Sequence, residues 1–223
     1  NDLPTIQNNI IRNNTGYPIS FAANPFTDAG TKITGNTFTG NSPNNRMEVF
    51  GGTLGVNATW VVTINGLGLD VTGTYMVGTG VTLTFDPGQT VFFGPSGFLQ
   101  ANSGTINAQG TVGSRIKFTR NGTSGNWQGI FLYGTSTNAS VFSRCDIEYG
   151  GSSGYGGIAF SDSSATMNDC TVTNCIYNCV RLDGASANPT LTSVTISNNG
   201  QFGVVIYSNG HGTFSGCTIQ DNK

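Results

Sequence analysis

The chain has 223 residues, of which 33 are glycine and only 9% are charged, and its formal net charge is -2. The nine basic residues are scattered singly, without a stripe that would follow a phosphate backbone, so nucleic acid is not expected as a partner. Glycine and proline interrupt every apolar run well before the roughly 18 residues that a membrane helix requires. Membrane insertion is therefore not expected either.

Two similar segments open the chain and introduce a repeating pattern. Each has an apolar residue, then Asn three positions later and a second apolar residue five positions later, which matches Ile6 with Ile11 and Ile33 with Phe38. Pairs of apolar residues with the two-residue spacing of a strand follow each segment. These pairs are Ile19 with Phe21 and Met47 with Val49.

Residues 51–133 differ from the repeating segments that precede and follow them. Residues 53–60 depart from the repeat and predict a junction, after which strand-like runs resume at 81–85, 90–93, 104–108, 115–118 and 129–132. Pro and Gly at 86–88 and 94–97 predict turns, because Pro restricts φ and Gly accepts positive φ. We therefore predict two continuous sections: N-terminal coils at residues 1–52, which end a preceding section, and a main section at residues 53–223.

The repeat is clearest in the C-terminal half. Its leading apolar residues are Phe142, Met167, Leu191 and Phe214, at intervals of 25, 24 and 23 residues. We predict that they form one buried column with Ile6 and Ile33, because the period places them at equal angles around a coil. The residues five positions later should form a second column, comprising Ile11, Phe38, Ile147, Val172, Ile196 and Ile219.

A polar column is expected beside the apolar ones. Eight residues after five of the six leading positions stand Asn14, Asn41, Cys175, Asn199 and Asn222. Stacked at the strand spacing, their amides would form a hydrogen-bonded ladder.

Repeats of about 24 residues made of strands and turns describe a solenoid. Leucine-rich repeats need a recurrent leucine pattern that is absent here, and propeller blades need about 40 residues. The prediction is an all-β, right-handed parallel β-helix of about nine coils of roughly 24 residues each.

Several of these segments also resemble a known family. Residues 75–77, 81–93, 108–111, 116–119 and 127–130 are similar to the opening coils of secreted bacterial right-handed β-helix repeat proteins of the pectate-lyase-like group. The resemblance covers about residues 70–160 closely. It implies the β-helix fold and a secreted or cell-surface location. It does not specify an activity, because the group contains lyases, hydrolases, adhesins, phage fibres and scaffolds.

An enzyme of that group is expected to act on a polysaccharide with clustered carboxylates, often with calcium. Asp146 and Glu148 are the one tight pair of carboxylates, with Asp169 expected nearby on the next coil. They are interpreted either as a catalytic or calcium site or as solvated face positions. The second interpretation is favoured, because Thr171 and Thr173 take the matching places on the next coil.

Histidine and cysteine offer no stronger site. His211 is the only histidine, and its glycine neighbours predict an exposed turn. Zinc binding by Cys170, Cys175 and Cys179 is a weaker alternative, because no pair has CxxC spacing. The five cysteines are an odd number, so at least one is free within the chain.

Three cysteines fit the repeat itself. Cys145, Cys170 and Cys217 share one repeat position with Val194, which predicts small buried side chains in a stack. A disulfide between Cys145 and Cys170 is a compatible alternative, because adjacent coils bring Cα atoms to about 4.8 Å.

These observations favour a non-enzymatic structural or adhesive module of a secreted or cell-surface protein. No catalytic, cofactor-binding or metal-binding residue is assigned, and no cofactor is expected. Both ends of the coil are expected to be continued in a parent protein or met by another chain, giving a longer rod or filament. The alternative is a carbohydrate-binding or polysaccharide-degrading β-helix, in which Trp127, Tyr133, Tyr149 and Tyr155 would stack on sugars.

Overall fold

The structure is a computed structural model that describes residues 4–22, 33–42, 45–60 and 68–223. Within these ranges the regular elements are β-strands and one turn of 3-10 helix, η1 (Thr135–Thr137). None of the described residues belongs to a helix with the length and apolar character needed to cross a membrane. The fold is an all-β parallel solenoid of about eight turns, close to the predicted nine.

Short strands account for nearly all of the regular structure. The N-terminal strands are β1 (Ile6–Gln7), β2 (Ile10–Arg12), β3 (Ser20–Ala22), β4 (Ile33–Thr34), β5 (Thr37–Thr39) and β6 (Met47–Leu54). The following strands are β7 (Ala58–Trp60), β8 (Leu69–Val71), β9 (Thr74–Val77), β10 (Thr82–Phe85), β11 (Thr90–Phe93), β12 (Phe98–Asn102), β13 (Thr105–Gln109), β14 (Ile116–Arg120), β15 (Gly129–Tyr133), β16 (Val141–Ser143), β17 (Cys145–Glu148), β18 (Ile158–Ser161), β19 (Thr166–Asn168), β20 (Thr171–Thr173), β21 (Val180–Asp183), β22 (Thr190–Thr192), β23 (Thr195–Ser197), β24 (Val204–Tyr207), β25 (Thr213–Ser215) and β26 (Thr218–Gln220).

Each coil of the main section contributes one strand to each of three faces. The first sheet contains β7, β10, β13, β16, β19, β22 and β25 in spatial order. The second sheet runs from β8 through β11, β14, β17, β20 and β23 to β26, and the third from β9 through β12, β15, β18 and β21 to β24. All strand pairs between successive coils are parallel. Alternate side chains therefore point into the coil and away from it.

Single residues with positive φ make the sharp corners of the coil. Arg144 and Asp169, with φ of 50° and 51°, separate the first-sheet strands from the second-sheet strands. Asn174 and Asn198, both with φ of 57°, follow the second-sheet strands β20 and β23. Asn and Asp tolerate this left-handed conformation better than most residues. The many Asn and Gly residues of the chain thus serve the turning of the coil.

The asparagine ladder forms where the repeat predicted it. Asn14 Nδ2 donates to Asn41 Oδ1 at 2.8 Å, and Asn199 Nδ2 donates to Asn222 Oδ1 at 2.6 Å. Cys175 occupies the same position, and its backbone N–H donates to Asn199 Oδ1 at 2.9 Å. These bonds satisfy backbone and amide groups that lie between coils.

Both predicted apolar columns are present in the C-terminal half. Phe142, Met167, Leu191 and Phe214 are partners in successive first-sheet strands. The second column runs through Ile147, Val172, Ile196 and Ile219. All are buried except in the last coil, where Phe214 is half-buried and Ile219 is exposed.

The columns do not continue unbroken to the N-terminus, so that part of the prediction is wrong. Ile6 pairs with Ile33 and Ile11 with Phe38, but these pairs form two separate two-stranded sheets. The second column instead passes from Ile147 through Phe118, Val91 and Leu69 to Met47.

The long strand β6 is the reason for this change of column. Its first half pairs with β3 and β8, whereas residues 52–54 pair with β9 in the third sheet. Gly51 and Gly52, with φ of 125° and 124°, lie where the two halves meet. A strand can change sheets here because glycine accepts backbone angles that other residues rarely adopt. The division into sections at residues 1–52 and 53–223 stays a prediction.

Candidate functional site

The predicted carboxylate pair lies on the outer face of the second sheet. Asp146 and Glu148 project from β17 on either side of the buried Ile147. Arg115 Nε lies 2.9 Å from Asp146 Oδ1, and Lys117 Nζ lies 3.1 Å from Glu148 Oε1. Each carboxylate is therefore paired with a cation from the preceding coil.

Further contacts extend these pairs into an ion-pair ladder. Asp169, one coil further on, lies 3.4 Å from Arg115 Nη1 and 3.3 Å from Arg144 Nε. Thr171 Oγ1 donates to Asp146 Oδ1 at 2.7 Å. Partial burial of Arg115 acts to lower the pKa of its guanidinium, but Asp146 and Asp169 outweigh burial and raise that pKa. The carboxylate oxygens thus serve contacts between coils.

The described residues contain no group of three or more His, Cys, Asp or Glu side chains that could hold a metal ion. His211 is exposed, and its ring Nδ1 lies 3.4 Å from the carbonyl of Asn209. It lies in a turn between β24 and β25, as predicted.

The outer face of the third sheet carries a different cluster, which we call the aromatic surface. Its residues are Phe98, Phe131, Tyr133, Tyr155, Arg181, Asp183 and Tyr207. The ring centroids of Phe131 and Tyr155 are 4.8 Å apart, and those of Phe131 and Tyr133 are 6.1 Å apart. The exposed fractions of Tyr133, Tyr155 and Tyr207 are 52%, 39% and 45%.

Strand register brings this surface together. Phe131, Ala159 and Arg181 are partners in successive third-sheet strands, with Ala159 fully buried between the two larger residues. The Arg181 guanidinium carbon lies 5.2 Å from the ring centroid of Tyr155, which comes from the loop before β18, and 4.6 Å from that of Tyr207. The surface therefore combines strand residues with one loop residue.

Arg181 is also held by an ion pair. Its Nη2 lies 2.6 Å from Asp183 Oδ2. Partial burial acts to raise the pKa of Asp183, but the hydrogen bond and charge of Arg181 outweigh it and lower that pKa. Exposed tyrosine rings beside a fixed guanidinium and carboxylate offer flat apolar faces together with donors and acceptors. That combination suits a polyhydroxylated ligand.

Two of the four aromatic residues singled out from the sequence belong to this surface. Tyr133 and Tyr155 are exposed as predicted, whereas Trp127 is fully buried and that prediction is wrong. The Trp127 ring stacks on Phe93 at 4.0 Å, and its Nε1 donates to the carbonyl of Glu148 at 2.7 Å. Tyr149 is half-buried, with the Arg120 guanidinium 3.8 Å from its ring centroid.

The sequence interpretation missed Arg181 and Tyr207. The sequence feature that could have indicated them is the alternation along the third-sheet strands. Arg181 precedes the inward Leu182, and Tyr207 follows Ile206. The spacing shows that both side chains face outward. It does not show that Tyr155 reaches them from a loop.

The last coil is the third notable surface. Its strands β24, β25 and β26 are the last strands of their sheets in the described chain, and within these residues each is paired along one edge. Ile206 and Ile219 are 55% and 51% exposed, although their partners one coil earlier, Leu182 and Ile196, are fully buried. Phe202, in the turn before β24, is 60% exposed. Core positions of the repeat are thus open to solvent here.

The cysteines are all free thiols. Cys145 and Cys170 are buried, and the backbone N–H of Cys145 donates to Cys170 Sγ at 3.4 Å, which confirms the predicted stack for these two residues. Cys217, in the last coil, is only half-buried. Cys175 and Cys179 lie together in the turn between β20 and β21.

Comparison with known proteins identifies the family to which the coil belongs. A family model described as "Right handed beta helix region" matches residues 105–223, which is more than half of the chain. Searches of curated proteins and of solved structures gave no match. The narrower resemblance to secreted pectate-lyase-like proteins is compatible with this match and stays a prediction. With parallel coils on three faces and a family match over its C-terminal half, the chain belongs to the right-handed β-helix family.

Proposed function

We propose that this chain is a non-enzymatic structural module whose last coil stacks on the first coil of a second copy, so that copies assemble end to end into a rod. The observation that carries the proposal is that Ile206 and Ile219, at core positions of the repeat, are 55% and 51% exposed within the residues given, where a further coil of the same fold would cover them. Secretion or display at the cell surface is part of the proposal, supported by the resemblance of about residues 70–160 to secreted β-helix proteins.

Burial and hydrogen bonding both favour such stacking. Full burial of an Ile or Phe side chain contributes about 1.5–3 kcal/mol, and three such side chains are more than half exposed at this end: Phe202, Ile206 and Ile219. The other edges of β24, β25 and β26 also present N–H and C=O groups, which recruit further strands. A coil of the same fold offers three strands at matching positions.

The first coil is a suitable partner. Strands β1, β2 and β3 each pair with one strand among the described residues, and the proposal places their other edges in the contact. Ile10 is 70% exposed at this end. A last coil of one copy meeting a first coil of the next is a heterologous contact, and a contact of this type extends into a filament unless its rotation closes a ring.

We expect the average mass of the protein to rise with concentration in sedimentation velocity and light scattering. Ile206→Lys and Ile219→Lys should each weaken association about tenfold or more, because a charge would have to be desolvated in the contact. Both positions are exposed, so the variants should keep the melting temperature of the wild type within a few degrees.

Val112→Lys is the matched control, because Val112 is exposed on the side of the coil, between β13 and β14. It should associate like the wild type. A wild-type protein that stays monomeric at every concentration would contradict the proposal. So would variants that associate as strongly as the wild type.

A second candidate function, carbohydrate binding, is favoured by the aromatic surface. Tyr133, Tyr155 and Tyr207 present exposed rings on one face, and Arg181 and Asp183 lie among them. This arrangement supports binding of a sugar chain along the outer face of the third sheet, because sugar rings stack on aromatic side chains through their apolar faces.

We expect the protein to bind at least one polymer in a panel of cellulose, chitin and polygalacturonate. Tyr155→Ala should weaken that binding about tenfold or more, because Tyr155 contacts both Phe131 and Arg181 in the centre of the surface. Binding is measured by co-sedimentation with the insoluble polymers and by calorimetry with the soluble one.

Tyr177→Ala is the matched control, because Tyr177 is exposed to a similar degree and lies outside the aromatic surface. Equal losses in the two variants, or no binding to any polymer, would count against this candidate. Release of unsaturated or reducing sugars, lost in an Asp146→Asn/Glu148→Gln double variant, would instead favour a polysaccharide-degrading enzyme.

A further inference from the structure

Two cysteine sulfurs meet in the turn that connects the second sheet to the third. Cys175 Sγ and Cys179 Sγ are 3.3 Å apart, and both side chains are buried. Cys175 follows β20 by two residues, and Cys179 immediately precedes β21. Both are free thiols in the structure.

Hydrogen bonds to neighbouring coils hold the backbone of this turn. The N–H of Cys175 donates to Asn199 Oδ1 at 2.9 Å, and the N–H of Cys179 donates to the carbonyl of Phe202 at 3.1 Å. Between them, the N–H of Ile176 donates to the carbonyl of Gly150 at 3.1 Å. Both ends of the turn and its middle are therefore anchored, which keeps the two sulfurs facing each other.

The space for the Cys175 sulfur depends on a glycine of the preceding coil. A Cβ added at Gly157 would lie only 2.5 Å from Cys175 Sγ. Cys175 itself stands at a repeat position that carries Asn in the two following coils, at Asn199 and Asn222. Cys175 thus replaces the asparagine of the ladder at this position, and the Cys175 sulfur is directed to Cys179.

The two cysteines differ in their distance from the surface, since Cys175 is 2% exposed and Cys179 is fully buried. Cys175 lines an open surface pocket of about 470 Å³ together with Asn199, Asp221 and Lys223. Cys179 Sγ lies deeper and donates to the carbonyl of Val172 at 3.0 Å. Burial first, and then the contact with Cys175, raise the pKa of the Cys179 thiol well above its ordinary value. Of the two cysteines, Cys175 is therefore the one that lies next to the surface pocket.

We propose that Cys175 and Cys179 form an intramolecular disulfide by exchange with a low-molecular-weight disulfide such as oxidised glutathione. Cys175 gives its proton to solvent and its thiolate attacks one glutathione sulfur. The glutathione disulfide breaks, and the glutathione thiolate that leaves takes up a proton from solvent. Cys179 then attacks the Cys175 sulfur of the mixed disulfide, and its proton passes to the second departing glutathione. The two protein thiols are oxidised by two electrons, and one glutathione disulfide is reduced to two glutathione thiols.

This bond would close the turn covalently at the point where each coil passes from the second sheet to the third. It is independent of end-to-end assembly and of sugar binding. A reversible bond at this position makes the coil sensitive to the redox state of its surroundings, because the reduced pair needs only a short approach of the sulfurs to reach bonding geometry.

The test is disulfide mapping of the full chain. The protein is incubated under native conditions with oxidised glutathione or with dithiothreitol, free thiols are blocked with N-ethylmaleimide, and the protein is digested without reduction. Trypsin cleaves after Arg181, and chymotrypsin cleaves after Tyr177, which separates the two cysteines. The two fragments remain joined after oxidation only if a disulfide crosses Tyr177.

After oxidation we expect a joined pair of fragments that contains Cys179, and after reduction we expect separate alkylated fragments. Cys175→Ser should abolish the joined pair. Cys170→Ser should retain it, which distinguishes Cys175 from the other cysteine in the same fragment. The wild-type mapping stands by itself if a variant fails to fold. Alkylation of both cysteines after oxidation would overturn the proposal, as would a glutathione adduct that persists on Cys175 or a bond from Cys179 to Cys170.

Discussion

Phe118→Ala is expected to lower the free energy of unfolding by about 3–5 kcal/mol. Phe118 is fully buried in the second column, with ring centroids 5.1 Å from Phe85, 6.5 Å from Phe93 and 6.4 Å from Phe142. The substitution removes a ring that packs between coils and leaves a cavity, which the repeating backbone can fill only in part because each strand is paired on both sides.

The measurement is chemical denaturation followed by circular dichroism. Phe50→Ala is the matched control, because Phe50 is 54% exposed, and its loss is expected to change the free energy of unfolding by about 0.5 kcal/mol or less. Similar destabilisation by the two variants would show that Phe118 does not pack as described.

Gly129→Ala is expected to destabilise the coil through the backbone. Gly129 has φ of 114°, which alanine rarely adopts, and an added Cβ would lie 2.2 Å from the carbonyl oxygen of Gly156 on the next coil. Backbone strain costs about 1–3 kcal/mol. Overpacking against a neighbouring strand costs about another 1–3 kcal/mol.

Gly113→Ala is the control for this prediction. Gly113 lies in the loop between β13 and β14, and a Cβ there would meet no heavy atom within 4 Å. Its melting temperature should stay within a few degrees of the wild type, while Gly129→Ala should melt markedly earlier. Equal melting temperatures for the two variants would contradict the strained geometry at Gly129.

The regular coils could be predicted from the sequence because a solenoid repeats its contacts. Phe142, Met167 and Leu191 recur at nearly constant intervals, so equal sequence spacing became equal position around the coil. The same period located the ladder bond between Asn199 and Asn222. Each position contacts its own equivalents in neighbouring coils, so the period alone carries that information.

The junction could not be predicted in this way. The position of Met47 in its repeat is the one that third-sheet strands occupy in the regular coils. In the structure, however, Met47 pairs with Leu69 in the second sheet. The change depends on the bend at Gly51 and Gly52 and on two different partners for one strand, β6. Where the repeat period is interrupted, equal spacing in the sequence no longer implies equal position around the coil.

The candidate surfaces depend on the tertiary structure in a similar way. The alternation in β17 placed Asp146 and Glu148 on one outer face, but only the folded coils show Arg115 and Lys117 paired with them. Trp127 has no strand alternation to indicate its direction, and only the structure shows that it stacks on Phe93 inside the coil.

The sequence by itself determined the all-β parallel coil, its repeat length and the inward columns of its C-terminal half. Both the period of the strands and the period of the coils can be recognised in the order of the residues. Only the tertiary structure decided which loop residues join the strand faces. Tyr155 reaches the aromatic surface, and Cys175 meets Cys179, through turns of irregular length between the second and third sheets. The path of such turns is set by contacts with neighbouring coils, and no local pattern of residues encodes those contacts.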